Sequence, residues 1–297
     1  MSKTILLTGA NGQLGRSIYL ELSPFYNVVP AIYKNISNLN LFNKNEIKLD
    51  ITNKSELKYI CDEINPDIII NTAAFTDVNY CEIEKEKAVD INVNGVRNLL
   101  SAMKNETLFI QISTDYVFDG VSGWYTEENP TYPETYYGKT KLEAENILRG
   151  SNKQYLILRP NVLFGNDINS DASFVSWVFQ NLKKQNKINV VIDQISNPTW
   201  TTAFSQAIRQ CIIMKARGIY HYGSDDVISR FDFAKLIAEI FDFDSSLVHP
   251  INSENLNQIP VRPKKTNVDV SKISNEIGAQ IYTLEYCLNQ LKRLINE

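Results

Sequence analysis

The sequence predicts an α/β fold, a doubly wound parallel sheet with a smaller C-terminal lobe. Three observations predict it. The chain opens on a short apolar run, Thr4-Ile5-Leu6-Leu7-Thr8, which passes through a glycine-rich turn into a helical pattern. Continuous apolar runs then recur between helical stretches, at Asp67-Ile68-Ile69-Ile70-Asn71, at residues 107–112 and at residues 155–160, as in strands buried on both faces of a parallel sheet. Beyond Ser173 the pattern changes to longer helices and isolated short strands, residues 188–192 and 218–221, the mark of a lobe built from insertions that return to the sheet.

Length and composition bound the rest. A chain of 297 residues suits one large domain with a smaller lobe, and the boundary is expected between residues 1–165 and 166–297. Thirty basic against thirty-four acidic residues, with no basic block, imply neither nucleic acid nor a membrane surface as a partner. The four cysteines are far apart and lack C-x-x-C spacing, so neither a zinc site nor a disulfide framework is expected, and no metal is assigned. No apolar run reaches spanning length, and Met1-Ser2-Lys3 leads directly into a strand, so a cytoplasmic protein is expected.

The first turn, Gly9-Ala10-Asn11-Gly12-Gln13-Leu14-Gly15, has G-x-x-G-x-x-G spacing at a strand-to-helix junction. That is a variant of the Rossmann dinucleotide fingerprint, whose glycines permit a tight turn, close backbone approach to a pyrophosphate and close helix packing. The helix N-terminus then faces the phosphates. The second strand, residues 27–33, contains Pro30, which points to an edge or irregular position. Its end reads Tyr33-Lys34-Asn35 with no carboxylate for a ribose 2′-hydroxyl, so NADPH and NADH both stay open. Thr52 or Asn53 is expected to cap the next helix, with Glu56 closing a capping box. Small residues at 72–76 follow the strand ending at Asn71, where a ligand of an open α/β sheet lies. One polar helix is expected from Glu82 to Met103, and the hydroxyls of Ser113 and Thr114 stand at the carboxyl end of the strand after it.

Of the fifteen tyrosines, only Tyr137 has a lysine four positions later, Lys141, within a helical pattern running to Arg149. The two share one helix face. A tyrosine exchanges a proton readily near neutrality only where positive charge stabilises its phenolate, and Lys141 is placed to supply that charge. His221 and His249 are solitary and read as structural. The pairs Glu127-Glu128 and Asp225-Asp226 read as caps or solvated loop charges.

Taken together, the glycine turn, Ser113-Thr114 and Tyr137/Lys141 resemble the extended short-chain dehydrogenase/reductase superfamily. More narrowly, Gly12 to Gly15, Asn71 to Val78, residues 113–120, Asp193-Gln194 with Pro198-Thr199, and Arg262-Pro263 resemble the dTDP-4-dehydrorhamnose reductase family. The resemblance implies reduction of a nucleotide-linked 4-keto-6-deoxysugar by NADPH or NADH, with a proton from Tyr137. It implies Thr114, Tyr137 and Lys141 as catalytic, and Thr114, Asp115 and Arg262 as substrate-contacting. It places Gly9, Gly12, Gln13, Leu14, Gly15, Asp50, Ile51, Ala74, Phe75 and Thr76 along the cofactor, and it admits a homodimer. One departure is that Val162 stands where the rhamnose enzymes carry a tryptophan, a form closer to extended epimerases and dehydratases. Such an enzyme of the same fold, or a non-catalytic NAD(P)-binding regulatory subunit, is the alternative expectation.

Overall fold

The protein was analysed as a computed structural model, which describes residues 2–34, 40–42, 45–168, 173–256 and 258–296. Asn35, at the end of the second strand, lies outside the described residues. The first half reads β1 (Thr4–Thr8), α1 (Gln13–Leu22), β2 (Asn27–Ile32), β3 (Ile47–Lys48), α2 (Lys54–Ile64) and β4 (Ile68–Asn71). After these come α3 (Val78–Ile83), α4 (Lys85–Val89), a π-helical turn (Asp90–Asn94), α5 (Gly95–Ala102), β5 (Leu108–Ile112), α6 (Tyr136–Arg149) and β6 (Gln154–Pro160). The sheet gains a seventh strand, β7 (Gly218–Tyr222), and its order is β7-β6-β5-β4-β1-β2-β3. Every pairing in it is parallel.

Side chains of successive strand residues point to opposite faces, and the two faces carry separate cores. Ile5, Leu7, Ile70 and Ile110 pack on the α1 side, with Ile18 and, from the helix Thr201–Ile213, Phe204. Leu6, Ile69, Phe109 and Ile157 pack on the other, against Leu57, Leu99 and Leu148. Both faces are covered, which is why the strands read as unbroken apolar runs rather than as alternation.

Several expectations change. Residues 218–222 are not an isolated strand of the lobe, because they pair with β6 along their length. By contrast Ile188–Val191 does lie outside the main sheet, paired with Val248–Ile251. Pro30 is not on the edge: β2 is flanked by β1 and β3, and Pro30 sits one residue before the β3 pairing begins at Ala31. The single helix expected from Glu82 is four segments that start earlier, because Asp77 caps α3 by accepting the Tyr80 N–H at 3.0 Å and the chain turns at Glu84.

Three buried polar side chains lace the carboxyl ends of the central strands together. Thr8 donates to Asn71 Oδ1 (2.6 Å), Asn71 to Gln111 Oε1 (2.9 Å), and Gln111 to the Ile112 carbonyl (2.7 Å). Buried polar groups are costly unless paired, so this ladder fixes the strand ends in mutual register. β1 is where the chain order reverses, and above its end the crevice opens.

Candidate active site

The crevice is a cavity of about 520 Å³ outside the carboxyl ends of β1, β4, β5 and β6. One wall is the glycine turn. Gly9 has φ +68°, Gly12 N–H donates to Gly9 O at 2.9 Å, and no side chain caps α1, which starts at Gln13. The first-turn N–H groups of α1 are thus offered to the cavity rather than to a capping side chain. Gln13 Nε2 is buried without a partner among the described residues. A glycine cradle, an uncapped helix N-terminus and an orphaned amide fit a dinucleotide pyrophosphate.

Gly12, Gln13, Leu14, Gly15, Ala74 and Thr76 line the cavity, whereas Gly9, Phe75, Asp50 and Ile51 do not. Gly9 shapes the turn behind it. Phe75 is held by Asn92, which accepts its N–H at 2.8 Å, donates to its carbonyl at 3.0 Å and donates to Thr140 at 3.0 Å. Asn92 sits in the π-helical turn and ties the 72–76 loop to α6; single-turn π segments are frequent at functional sites. Asp50 receives the Thr52 N–H and hydroxyl, Ile51 packs beneath Gly95, and the α2 cap is Asn53, which accepts the Glu56 N–H at 3.2 Å.

The opposite wall is α6. Thr135 caps it by accepting the Gly138 N–H at 3.1 Å, and Glu82 accepts the Tyr136 N–H at 2.6 Å. Gly138 is required by close approach, since a Cβ there would lie 2.2 Å from the Tyr116 carbonyl oxygen. That contact sets the 114–116 segment against Tyr137, whose ring meets Tyr116 edge-on at 6.1 Å. Thr114, Asp115, Tyr137 and Lys141 all line the cavity.

Lys141 is buried and its ammonium donates to the Ile112 carbonyl at 2.6 Å. Burial lowers its pKa to about 8, against a raising influence from Glu145. Tyr137 is pushed above its ordinary value, first by burial and then by the charge of Asp115, while the neighbouring Thr114 hydroxyl draws it down. Asp115 is raised to about 6 by burial, with the Thr266 and Thr114 hydroxyls drawing it down. Its Oδ1 accepts from Thr114 at 3.0 Å, and its Oδ2 has no partner with hydrogen-bond geometry among the described residues.

Ser113 also lines the cavity, but its hydroxyl is not free: it donates to Glu145 Oε1 at 2.5 Å, and Glu145 is in turn clamped by Arg159 at 2.9 and 2.6 Å. His221 closes this buried network, with one ring nitrogen 3.3 Å from Arg159 and the other 3.1 Å from the Tyr125 carbonyl oxygen. Burial, then the Arg159 charge, push its pKa down to about 3. Asp226 accepts the N–H of Leu284 at a helix start, a capping role as expected, whereas Glu127 caps no helix and instead accepts the backbone N–H of His221 in β7.

Arg262 does not line the cavity; its guanidinium donates to the Pro260 carbonyl at 2.6 Å and to Asn79 at 2.5 Å. A different arginine does. Arg230, the first residue of the helix Arg230–Ile240, faces the cavity beside Asp115 and Tyr116. Among the described residues no group of three or more His, Cys, Asp or Glu side chains is gathered as a metal site requires, and no helix is long and apolar enough to cross a membrane.

Residues 3–296 match the family model described as RmlD substrate binding domain. The chain belongs to that family. Over 291 residues it is 33% identical to dTDP-4-dehydrorhamnose reductase of Aggregatibacter actinomycetemcomitans, covering 93% of this chain and 94% of that protein. It also superimposes on the crystal structure of dTDP-4-dehydrorhamnose reductase from Bacillus anthracis in complex with NADP, with TM-score 0.87 and 30% identity over 99% of each chain. Methionine adenosyltransferase 2 subunit beta of Xenopus laevis is 29% identical over 92% of this chain and 82% of that protein. In this member of the RmlD family the cavity wall carries Val162 at φ +30°, a backbone region that β-branched residues rarely enter. Strain of this kind collects at ligand sites, where surrounding structure holds it in place.

Proposed function

We propose that this protein is an NADPH- or NADH-dependent reductase of a nucleotide-linked 4-keto-6-deoxysugar. The observation that carries the reading is the meeting of Thr114, Tyr137 and Lys141 in one cavity with an uncapped glycine turn on its far wall. Its relatives supply the substrate class: the bacterial protein of highest identity described above is named for dTDP-4-dehydrorhamnose, and the B. anthracis structure holds NADP.

Gly12, Gln13 and the first turn of α1 would hold the pyrophosphate, and Ala74 and Thr76, which line the same cavity as Tyr137, would contact the cofactor. When bound, the nicotinamide supplies the hydride. The Thr114 hydroxyl, which donates to Asp115 Oδ1, would turn to donate to the keto oxygen and orient the carbonyl, and Tyr137 would give that oxygen its phenolic proton. With its pKa raised, Tyr137 keeps that proton at neutral pH until the developing alkoxide takes it. Lys141, charged below about pH 8, stabilises the phenolate left behind and is anchored for that role by the Ile112 carbonyl. The residues before 166 would hold the cofactor, and among the described lining residues Arg230 is the one that the part of the chain after 166 contributes.

The relationship to methionine adenosyltransferase subunit beta supports a second reading, a regulatory subunit that binds NAD(P) without turnover. The Thr114, Tyr137 and Lys141 constellation favours the enzyme, since binding alone has no chemical need of it.

The test is the loss of reduced-nicotinamide absorbance when the protein meets a dTDP-4-keto-6-deoxy-L-sugar, run in parallel with NADH and NADPH. Stoichiometric oxidation that disappears in Tyr137→Phe is expected. No oxidation with either coenzyme, despite measurable nicotinamide binding, would sink the reductase reading and leave the regulatory one.

A further inference from the structure

Arg230 is the group in the cavity that the mechanism leaves unused. It is half-buried, its backbone N–H is tied to the Gln194 carbonyl at 2.9 Å, and its guanidinium lies over the Phe174 ring at 4.8 Å. That ring is itself stacked on Phe233 at 5.8 Å, so the shelf under the guanidinium is fixed. Among the described residues no carboxylate forms an ion pair with Arg230 and no acceptor takes a hydrogen bond from its guanidinium. Five N–H donors in a planar fork therefore stand at the cavity wall with their partners to be supplied by a ligand.

Next to it is an acceptor in the same condition. Asp115 is almost fully buried and lines the same cavity, and although the Thr266 hydroxyl stands near its carboxylate, Oδ2 accepts no bond of hydrogen-bond geometry among the described residues. The two groups are close enough to act on each other electrostatically. They are not joined as a salt bridge, and both line the space that Tyr137 and Thr114 face.

We infer that Arg230 and Asp115 form a donor–acceptor clasp for adjacent hydroxyl groups of the substrate's sugar ring, selecting a neutral hydroxylated sugar over an acidic one. The inference rests on the reductase reading and names what that site recognises. Its chemistry follows from the pair: a hydroxyl both accepts and donates, so two neighbouring hydroxyls satisfy guanidinium and carboxylate together. A phosphate or a sugar carboxylate has no hydrogen to give Asp115 and would bring a second anion against it. Asp115 thus separates this arginine from one that serves a diphosphate. A site built to hydrogen-bond a hydroxyl discriminates strongly, because the analogue that lacks it leaves buried groups unpaired.

Isothermal titration of the full chain with dTDP, dTDP-L-rhamnose, dTDP-glucuronic acid and NADPH tests the clasp. In Arg230→Met, affinity for dTDP-L-rhamnose should fall by about tenfold or more, the loss of a charged hydrogen bond, while dTDP and NADPH bind as in the wild type. Arg230→Lys should recover part of the loss, and Asp115→Asn should weaken the same ligand selectively; these two keep the test open if Arg230→Met fails to fold. An equal loss for dTDP and dTDP-L-rhamnose would overturn the inference by assigning Arg230 to the diphosphate. So would undiminished dTDP-L-rhamnose binding in the variants, or a wild type that prefers the glucuronic acid. A wild type that binds no nucleotide sugar would remove the reductase reading and the clasp together.

Discussion

Lys141 and Ile112 are joined by a 2.6 Å hydrogen bond from the ammonium to the backbone carbonyl, at the strand end that carries Ser113 and Thr114. The bond crosses from α6 to β5 and holds a buried cation one helical turn from Tyr137. Its cost is visible in the Lys141 pKa, lowered to about 8 by burial, so the charge that the mechanism needs is lost as pH rises through that value. Asp115, raised to about 6, becomes neutral as pH falls through its own and stops serving as a full acceptor. The predicted kcat/KM profile is therefore a bell with limbs near 6 and 8, since kcat/KM reports groups of the free enzyme. Asp115→Asn should erase the acid limb and leave the alkaline one. Limbs far from these values, or an acid limb that survives the substitution, would contradict the assignment.

Tyr137→Phe removes the proposed proton source and leaves the cavity shape nearly unchanged. Turnover should fall by about a hundredfold or more, in line with general acid catalysis, with NADPH affinity unaffected because the proposed cofactor wall lies on α1 and the 72–76 loop. Stopped-flow single turnover separates this from slow product release. A variant that kept its hydride-transfer rate would displace Tyr137 from its role.

Much of this was legible in the sequence because local pattern determines it. Ile68 to Ile70 could only be a strand buried on both faces, and the Tyr137/Lys141 spacing stays meaningful wherever the helix lies. The residues that sequence reading missed act through space. Asn92 has no pattern around it, and its task of joining the 72–76 loop to Thr140 exists only once α6 packs against the π-helical turn. Arg230 looks like an ordinary first-turn residue after a Ser cap until the fold brings it to Asp115. Ser113 lines the cavity beside Thr114 as expected, but its hydroxyl is committed to Glu145, a partner on α6 that no pattern around Ser113 announces. One signal was available. Glu145 stands one turn beyond Lys141 on the same helix, and a buried cation calls for a nearby anion.

That anion is the basis of a stability prediction. Glu145 is fully buried and bonded to Arg159, Ser113 and the field of Lys141, while Arg159 is 1% exposed. Removing one partner strands the other charge in the core, which typically costs about 3–5 kcal/mol. Glu145→Ala should therefore lower the urea midpoint without changing the m-value, whereas a paired Glu145→Met, Arg159→Met replacement should recover much of the loss. If the single variant unfolds at the wild-type midpoint, the network is not a stabilising element.

His221 and Asp115 give opposite pH linkages. His221 titrates at an ordinary 6.5 when unfolded and about 3 when folded, so the unfolded chain binds the proton first and stability is lost as pH falls from 6.5 toward 3. Asp115 moves from 3.8 to about 6, so the folded chain binds the proton first and stability is gained as pH falls from 6 toward 3.8. The His221 displacement is the larger, and these two groups together favour unfolding on acidification. Thermal melts between pH 7 and 4 should show Tm falling more steeply in Asp115→Asn, which lacks the compensating gain, than in the wild type. Parallel curves would mean that Asp115 does not titrate in this range.

The glycine turn separates fold from binding. A Cβ on Gly15 would lie 2.4 Å from the Gly9 oxygen and 2.7 Å from the Ala10 Cα, both backbone atoms that cannot swing aside. On Gly12 it would meet only the Gly9 oxygen, at 3.2 Å. Gly15→Ala should thus force α1 away from the end of β1 and lower both Tm and cofactor affinity. Gly12→Ala should leave Tm within a few degrees of wild type and weaken NADPH binding, because its methyl group points where the pyrophosphate approaches the backbone. Fluorescence titration of NADPH alongside thermal melts reads both quantities on the same samples. If Gly12→Ala bound NADPH as tightly as the wild type, the pyrophosphate would have to sit elsewhere along α1, and the cradle described by Gly12 and Gln13 would be wrong.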